Sequence, residues 1–356
     1  METNQDIREP IYIKTGENYQ EKFSYEDKEI VYNMNAECST PMGIEMQSKL
    51  RLFDDKAWSS QNSGVKSGFP MLDKAFQDGF VPGFYIIAGD SNLGKSTILT
   101  QLTWQFLKLN DDIFILDFSL DDPIIDRLSR LMASYTMIPS SCIKFPFKQD
   151  EKVLLRRRKG LEFLTNNSDK YLCHDTSTIN SIEKIEAEIE RVRIELEKAK
   201  PNTKLIVLID SFHDLNYDNK SFSGETAKYN EIAQWCADTS IRQDLILIAT
   251  GELKKLEKDG TRPTMGSLRE SIKIRYEAKA IMFVYNDVHY NNESAEIYFM
   301  EENSQDKKPI FEVHVAKNKV SSWKGRLFYY MWPDIGHLRE CDEETTRNYR
   351  STIYGK

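Results

Sequence analysis

No apolar run in this 356-residue chain approaches the roughly 18 residues needed to cross a bilayer. The first residues, METNQD, are polar and acidic and carry no apolar leader core. Membrane insertion and export are not expected, and the cytoplasm is the default compartment. Cysteine is scarce: Cys38, Cys142, Cys173, Cys236 and Cys341 stand far apart without a C-x-x-C pair. A disulfide framework or zinc ribbon is therefore not expected, and reduced thiols are the plain reading. Cys173 and His174 are adjacent but lack a second half-site. The histidines are scattered, with no H-E-x-x-H arrangement, and only His213 sits near a candidate metal carboxylate. Excess positive charge is missing too. The net charge of −8 does not announce a nucleic-acid protein, yet a strand-threading channel needs basic loops rather than a basic total.

What is present is concentrated at residues 84–97, FYIIAGDSNLGKST. A short apolar strand runs into G-x-x-x-x-G-K-S and then a helix, the pattern of a phosphate-cradling loop. Gly89, Asp90, Ser91, Asn92, Leu93, Gly94, Lys95, Ser96 and Thr97 form the candidate nucleotide-binding segment. Close wrapping of a phosphate asks for residues without a β-carbon at Gly89 and Gly94. Exposed N–H groups and the helix N-terminus then face the anion. Lys95 would reach the β- and γ-phosphates of ATP, and the Ser96 hydroxyl would ligate Mg²⁺.

Around this loop the chain alternates β-rich apolar runs with amphipathic segments from Gly68 onward, which predicts an α/β fold with a mainly parallel sheet flanked by helices. The expected strands are Phe84–Ala88, Ile113–Phe118, Leu205–Ile209, Leu245–Ala249 and Ala280–Val284. Phe311–Val315 and Arg326–Met331 read as a C-terminal antiparallel hairpin. Helices are expected over Ser96–Leu109, Pro123–Tyr135 and Ile182–Leu196, the last with an apolar stripe read as core packing. The basic run KVLLRRRK (152–159) reads as a solvated helix face, with a phosphate or partner contact as the alternative. Residues 1–66 read as a polar extension with one or two helices, Met42–Phe53 among them. Residues 67–335 form the expected ATPase domain, and 336–356 a charged, peripheral tail.

Two carboxylates have the right positions for chemistry. KLIVLID (204–210) is an apolar strand ending in Asp210, placed to hold the Mg²⁺ shell together with Ser96. The strand Ile113–Phe118 leads into Asp121 and Asp122, and ligands in such sheets sit at the carboxyl ends of strands. Asp121 is the candidate base that orients the attacking water. Asp122 is the fallback, or else the N-cap of the helix that follows.

In order along residues 66–332, these segments resemble the C-terminal ATPase domain of the DnaB-like replicative helicases, hexameric rings with a RecA-like fold. GFPMLD (68–73) resembles the family's opening G-x-x-x-L-D, FSLD (118–121) its F-S-L-E, Asp210 its strand-end aspartate and Arg269-Glu-Ser271 its L-R-E-S. Glu277-Ala278 with the following strand and Tyr285 resembles its D-A-D strand, and AKNK (316–319) its A-K-N-R.

The resemblance implies ATP hydrolysis coupled to movement along single-stranded DNA, with 5′–3′ polarity, in a homo-oligomeric ring served by a loader or other replication proteins. It implies that Arg269 and Glu270 lie in a DNA-contacting channel loop, with Lys273 and Arg275 as additional basic candidates. It implies further that Lys317 and Lys319 act on nucleotide bound by a neighbouring copy. Three positions depart from the family. Asp121 replaces a glutamate, Glu252 a phosphate-sensing glutamine and Lys319 an arginine finger, which loses the bidentate fork. Glu252 would repel a γ-phosphate unless Lys254, Lys255 or a metal compensates. Ile272 stands where the family has a glycine. The segment before Gly68 is too short for the family's helical N-terminal domain, which recruits primase, and would serve as a linker helix. A nucleotide-gated DNA- or protein-binding switch with slow hydrolysis is the alternative these departures leave open.

Overall fold

The computed structural model describes residues 11–15, 18–25, 28–33, 40–58, 64–254, 260–268, 272–302 and 304–355, by backbone alone over 11–33 and 55–58. The chain divides into two compact units between Asn62 and Ser63, each described by itself.

In the first unit, β1 (Ile11–Thr15), β2 (Asn18–Tyr25) and β3 (Lys28–Asn33) pair antiparallel as a meander. Helix α1 (Pro41–Trp58) follows and contains the expected Met42–Phe53 stretch. The strands depart from the reading of this segment as a polar linker with helices only. Ile11-Tyr-Ile13 and Ile30-Val-Tyr32 are strand-forming residue types, but each run is too short and too diluted by charge to stand out.

The second unit is built on one ten-stranded sheet. Its strands are β4 (Gly83–Gly89), β5 (Ile113–Ser119), β6 (Tyr171–Asp175), β7 (Lys204–Asp210), β8 (Ile246–Glu252), β9 (Ala280–Asn286), β10 (Tyr298–Phe299), β11 (Lys308–Asn318), β12 (Gly325–Trp332) and β13 (His337–Glu340). Its helices are α2 (Pro70–Ala75), α3 (Lys95–Leu109), α4 (Ile124–Thr136), α5 (Ser140–Lys144), α6 (Glu151–Asn166), α7 (Ile182–Ala199), α8 (Glu225–Arg242), α9 (Ile272–Glu277), α10 (Asp287–Asn291) and α11 (Glu343–Tyr354). The strand order is β13-β12-β11-β9-β4-β8-β7-β5-β6, with β10 paired to β11. From β6 to β9 every pairing is parallel; β11, β12 and β13 continue the sheet antiparallel. The mainly parallel α/β fold and the C-terminal hairpin are thus as the sequence reads.

Alternate residues of the central strands feed two apolar layers. Phe84, Ile86 and Ala88 of β4, with Leu205, Val207 and Ile209 of β7, pack against the stripe Ile182, Ile185, Ile189, Val192 and Leu196 of α7. Tyr85, Ile87, Ile206 and Leu208 face Ile98, Leu102 and Phe106 of α3 on the other side. Helices cover both faces, which is why these strands lack a polar face in the sequence. The run 152–159 lies in α6, and Arg156, Arg158 and Lys159 are exposed.

The segment after residue 335 is not a loose tail. β13 pairs with β12 and buries Leu338, while Tyr349 and Ile353 of α11 pack against Ile297, Ile310 and Phe328. The charges that suggested a tail occupy the outer side of an amphipathic helix.

Candidate functional site

Because β4 is central, its carboxyl end opens in the middle of the sheet, and the loop 90–94 connects it directly to α3. The two loop glycines are required for different reasons. A β-carbon on Gly89 would run into Val284 Cγ2 of the adjoining β9, so strand packing by itself already requires a glycine here. Gly94 has φ +101°, and a β-carbon there would meet Phe311 at 3.0 Å and Met331 at 3.1 Å. Gly94 therefore sets the left-handed turn that starts α3. Asn92 also has positive φ, a conformation asparagine tolerates. The Asp90 carboxylate accepts from the Ser91 N–H (2.9 Å) and the Tyr290 hydroxyl (3.2 Å). Lys95 Nζ donates to the Asp90 carbonyl at 2.9 Å.

The structure brings Lys95, Ser96, Thr97, Asp121, Asp210 and Glu252 together around one cavity of about 420 Å³, within the size range of small-ligand sites. Their convergence follows from the topology. β5, β7 and β8 are neighbours, and Asp121, Asp210 and Glu252 lie at or just beyond their carboxyl ends. Two backbone bonds clamp these ends, since the N–H groups of Leu120 and Asp121 both donate to the Asp210 carbonyl, at 2.6 and 3.0 Å. Burial lowers the Lys95 ammonium below its usual range, although Glu252, then Asp210, Asp90 and Asp121, pull the other way. Glu252 is thus the strongest carboxylate influence on Lys95, while Lys254, one proposed compensating cation, does not line the cavity. Lys255 lies outside the described residues. The Asp121 carboxyl is raised by burial and by the charges of Asp214 and Asp210, against the pull of Arg130 and Lys95.

Asp122 does not cap the helix after it. Its carboxylate holds Arg130 through two contacts, the longer at 3.0 Å. The first amide of α4, Ile124 N–H, donates instead to Asp175 Oδ2 at 2.9 Å from the end of β6. Pro123 occupies the N-cap position of the helix instead.

Other expected residues lie elsewhere. Arg269 and Glu270 fall outside the described residues. Lys273 and Arg275 are on α9, where Lys273 Nζ donates to Gln234 Oε1 at 2.9 Å; two residues apart on a helix, they do not share a face. Lys317 and Lys319 do not reach the cavity of their own chain. Lys317 Nζ donates to the carbonyls of Arg275 (2.5 Å) and Tyr276 (2.8 Å), and Lys319 Nζ to that of Tyr276 (2.7 Å). Both ammonium groups sit on the last turn of α9. Between them Asn318 is buried and ties the following turn to α2, donating to the Ala75 carbonyl at 2.8 Å and accepting from Val320 N–H at 2.9 Å. His213 accepts from the Glu252 N–H at Nδ1, 3.1 Å.

The cavity also includes residues that spacing did not single out: Thr100, Arg130, Asp214 and the turn Pro333–Gly336 between β12 and β13. Asp214 is four residues past Asp210, and its nearness to that strand end is the one signal that could have found it. The turn lies where the expected ATPase domain meets the expected tail, and no motif marks it.

The donor set suits a hard divalent cation held with a phosphorylated ligand. Ser96 and Asp210 supply oxygen, and Mg²⁺ commonly takes one or two protein oxygens and completes its shell with phosphates and water. Among the described residues, no group of three or more His, Cys, Asp or Glu is arranged to hold a metal ion by protein ligands alone. No helix among them is long and apolar enough to cross a membrane.

The sequence profile of the DnaB-like helicase C terminal domain family matches residues 64–327. The chain is 25% identical over 259 residues to the replicative DNA helicase DnaB of Pasteurella multocida, covering 72% of this chain and 51% of that one. It is 24% identical over 240 residues to a probable replicative DNA helicase of Trieres chinensis, covering 65% and 49%. The chain spans about half the length of these curated relatives. Two solved structures share the fold, each with a TM-score of 0.70. One is an isolated ATPase domain, 20% identical, covering 86% of this chain and 100% of that one. The other is a DnaB-like replicative helicase described with its interactions with primase, 21% identical, covering 85% and 69%.

Proposed function

This chain belongs to the DnaB-like helicase C terminal domain family, and from that premise we propose that it is an ATP-driven motor that moves 5′–3′ along single-stranded DNA as a ring, six copies in the family's manner. The observation that carries the reading is the incompleteness of the site within one copy. Its cavity collects Lys95, Ser96, Asp121 and Asp210, whereas Lys317 and Lys319 are held at α9.

In this reading Lys95 and the N-terminus of α3 hold the triphosphate, and Ser96 and Asp210 hold Mg²⁺. When bound, Mg²⁺ neutralises charge on the phosphate oxygens. Asp121 accepts the proton of the attacking water; its carboxyl, raised by burial and neighbouring acids, is the more basic for it. Lys317 and Lys319 of an adjacent copy stabilise charge that develops at the γ-phosphate. Five carboxylates, Asp121, Asp210, Asp214, Glu252 and Asp334, border the cavity, so added cations are what the site most requires. The loop before α9, with Lys273 nearby, contacts the DNA backbone. A loader or other replication proteins would place the ring on DNA, in the cytoplasm.

The decisive experiment is displacement of a strand from a forked duplex with ATP and Mg²⁺. Unwinding is expected, together with ATP hydrolysis stimulated by single-stranded DNA, and Lys95→Ala abolishes both. A protein that binds ATP and assembles, yet releases no strand, would be a switch rather than a motor.

A further inference from the structure

One charged cluster in the second unit is buried beneath the cavity and unaccounted for by the chemistry above. Asp117 lies on β5 and is fully buried, on the strand face that carries Ile113 and Ile115 toward α3. Arg127 of α4, also buried, reaches it with two donors, Nε to Oδ2 at 2.9 Å and Nη2 to Oδ1 at 3.3 Å. The Tyr171 hydroxyl at the start of β6 donates to the same Oδ2 at 2.9 Å. The remaining end of the guanidinium points the other way. Nη1 donates to Thr100 Oγ1 on α3 at 2.9 Å and lies 3.7 Å from Asp210 Oδ2. On its opposite oxygen, Asp210 accepts from the Thr250 hydroxyl of β8 at 2.5 Å.

We propose that Arg127 is a positioning residue, held rigid by Asp117, Tyr171 and Thr100, that fixes the orientation of the Asp210 carboxylate toward the metal and nucleotide. The planar fork is what makes this possible. With Nε and Nη2 committed to Asp117, the location of Nη1 follows from the geometry of the group. Asp210 is then bracketed, with Thr250 on one oxygen and Arg127 behind the other, so its plane cannot turn without losing a partner. Asp117 and Arg127 cancel in charge, so the bracket leaves the negative charge of Asp210 available to a cation. A buried ion pair is poor evidence of stabilisation, since apolar side chains of similar volume commonly serve a fold as well or better. Groups behind a metal-side carboxylate, in contrast, commonly tune its metal. The inference rests on the nucleotide and Mg²⁺ reading of the cavity.

The test replaces the cluster without leaving an orphaned charge. In the full-length triple variant D117L/R127M/Y171F, binding of a non-hydrolysable fluorescent ATP analogue is titrated with Mg²⁺ and repeated in EDTA, beside thermal unfolding. The expected result is a melting temperature and metal-free affinity close to wild type, with the Mg²⁺ concentration for half-maximal tightening raised ~10-fold or more. Unchanged Mg²⁺ dependence in the folded variant would overturn the proposal. So would tighter Mg²⁺ binding, the sign expected if Arg127 acted through its charge alone. Should the triple variant fail to fold, Arg127→Lys keeps the charge but loses the fork, and the same displaced Mg²⁺ dependence is expected; a wild-type response overturns the proposal equally. If the wild-type protein itself binds the analogue without regard to Mg²⁺, the nucleotide reading fails and takes this inference with it.

Discussion

Asp121 is one methylene shorter than the glutamate its family places there, and its surroundings bear on the role of base proposed for it. Burial raises its carboxyl, Asp214 and Asp210 raise it further, and Arg130 and Lys95 oppose them. A raised carboxyl is protonated at a higher pH than an ordinary aspartate, so the acidic limb of kcat/KM for ATP hydrolysis should lie above the ordinary aspartate range near pH 4. Asp214 is the largest single charge behind that shift. It accepts from the Ser211 hydroxyl at 2.6 Å, a bond that the oxygen of an asparagine can also accept. Asp214→Asn should therefore move the acidic limb to lower pH while leaving the plateau rate nearly unchanged. A limb that stays in place, measured as kcat/KM across pH, would remove Asp121 from the role of base or Asp214 from its surroundings. The same sign applies to folding. With the folded carboxyl raised above its unfolded value, the stabilising contribution is complete only below the unfolded value, near pH 3.8, and is lost as pH rises through the folded one.

The end of β11 and the residue after it carry the two lysines proposed to act between copies, and the strand's register explains how they reach α9. Pairing with β9 shifts between Val315 and Lys317, a bulge of the kind that redirects side chains, and Lys317 and Lys319 then both land on the last carbonyls of α9. The negative end of the helix dipole favours them there. Burial, and then the neighbouring Lys319, lowers the Lys317 ammonium to about 8. Lys319→Ala should reduce hydrolysis in the assembled protein by at least ~100-fold, a lower figure than the 10³–10⁵ typical of an arginine finger because lysine lacks the fork. Nucleotide affinity should change little. Parallel loss of affinity and rate, read by equilibrium binding beside steady-state hydrolysis, would place Lys319 within one copy's own site. The role proposed for this element rests on family resemblance alone, since nothing in the spacing of AKNK points to a neighbour. Strands β4, β5, β7, β8 and β9 were legible because burial on both faces leaves uninterrupted apolar runs. β6 was not: it is the last strand at its edge of the sheet, half-exposed at every position, and YLCHD has no pattern to read. The loop 89–97 and the strand-end acids were plain in the sequence because their chemistry is local. Asp117 and Arg127 are ten residues apart and Asp122 and Arg130 eight, but each pair bridges a strand end and a helix and follows no helical or strand spacing, while the turn Pro333–Gly336 comes to the cavity from far along the chain.

At the scale of the whole molecule, the charges of the cavity argue for assembly. Asp121, Asp210, Asp214, Glu252 and Asp334 stand beside Lys95 and Arg130, and Arg130 is already held by Asp122. A triphosphate added to that balance leaves a large negative excess, which Mg²⁺ reduces and a second copy would reduce further through Lys317 and Lys319. Contacts of this kind are heterologous: one face would supply the loop and acids and a different face the lysines, an arrangement that forms a ring when the rotation between successive copies closes. Lys95→Ala disables the loop face and spares the cations, whereas Lys319→Ala does the reverse. Each variant alone should be inactive. Mixed in equal amounts and allowed to exchange in the presence of nucleotide, they should regain hydrolysis, because a Lys319→Ala copy beside a Lys95→Ala copy recreates an intact interface in one of its two orders. Random mixing makes about a quarter of the heterologous interfaces intact, so activity should approach that share of wild type if the sites fire independently, and fall below it if they are coupled around the ring. Rings that form, exchange subunits and still hydrolyse nothing would mean that both groups act within a single copy, which the separation of Lys319 from the cavity makes geometrically difficult without a rearrangement of β11 and α9.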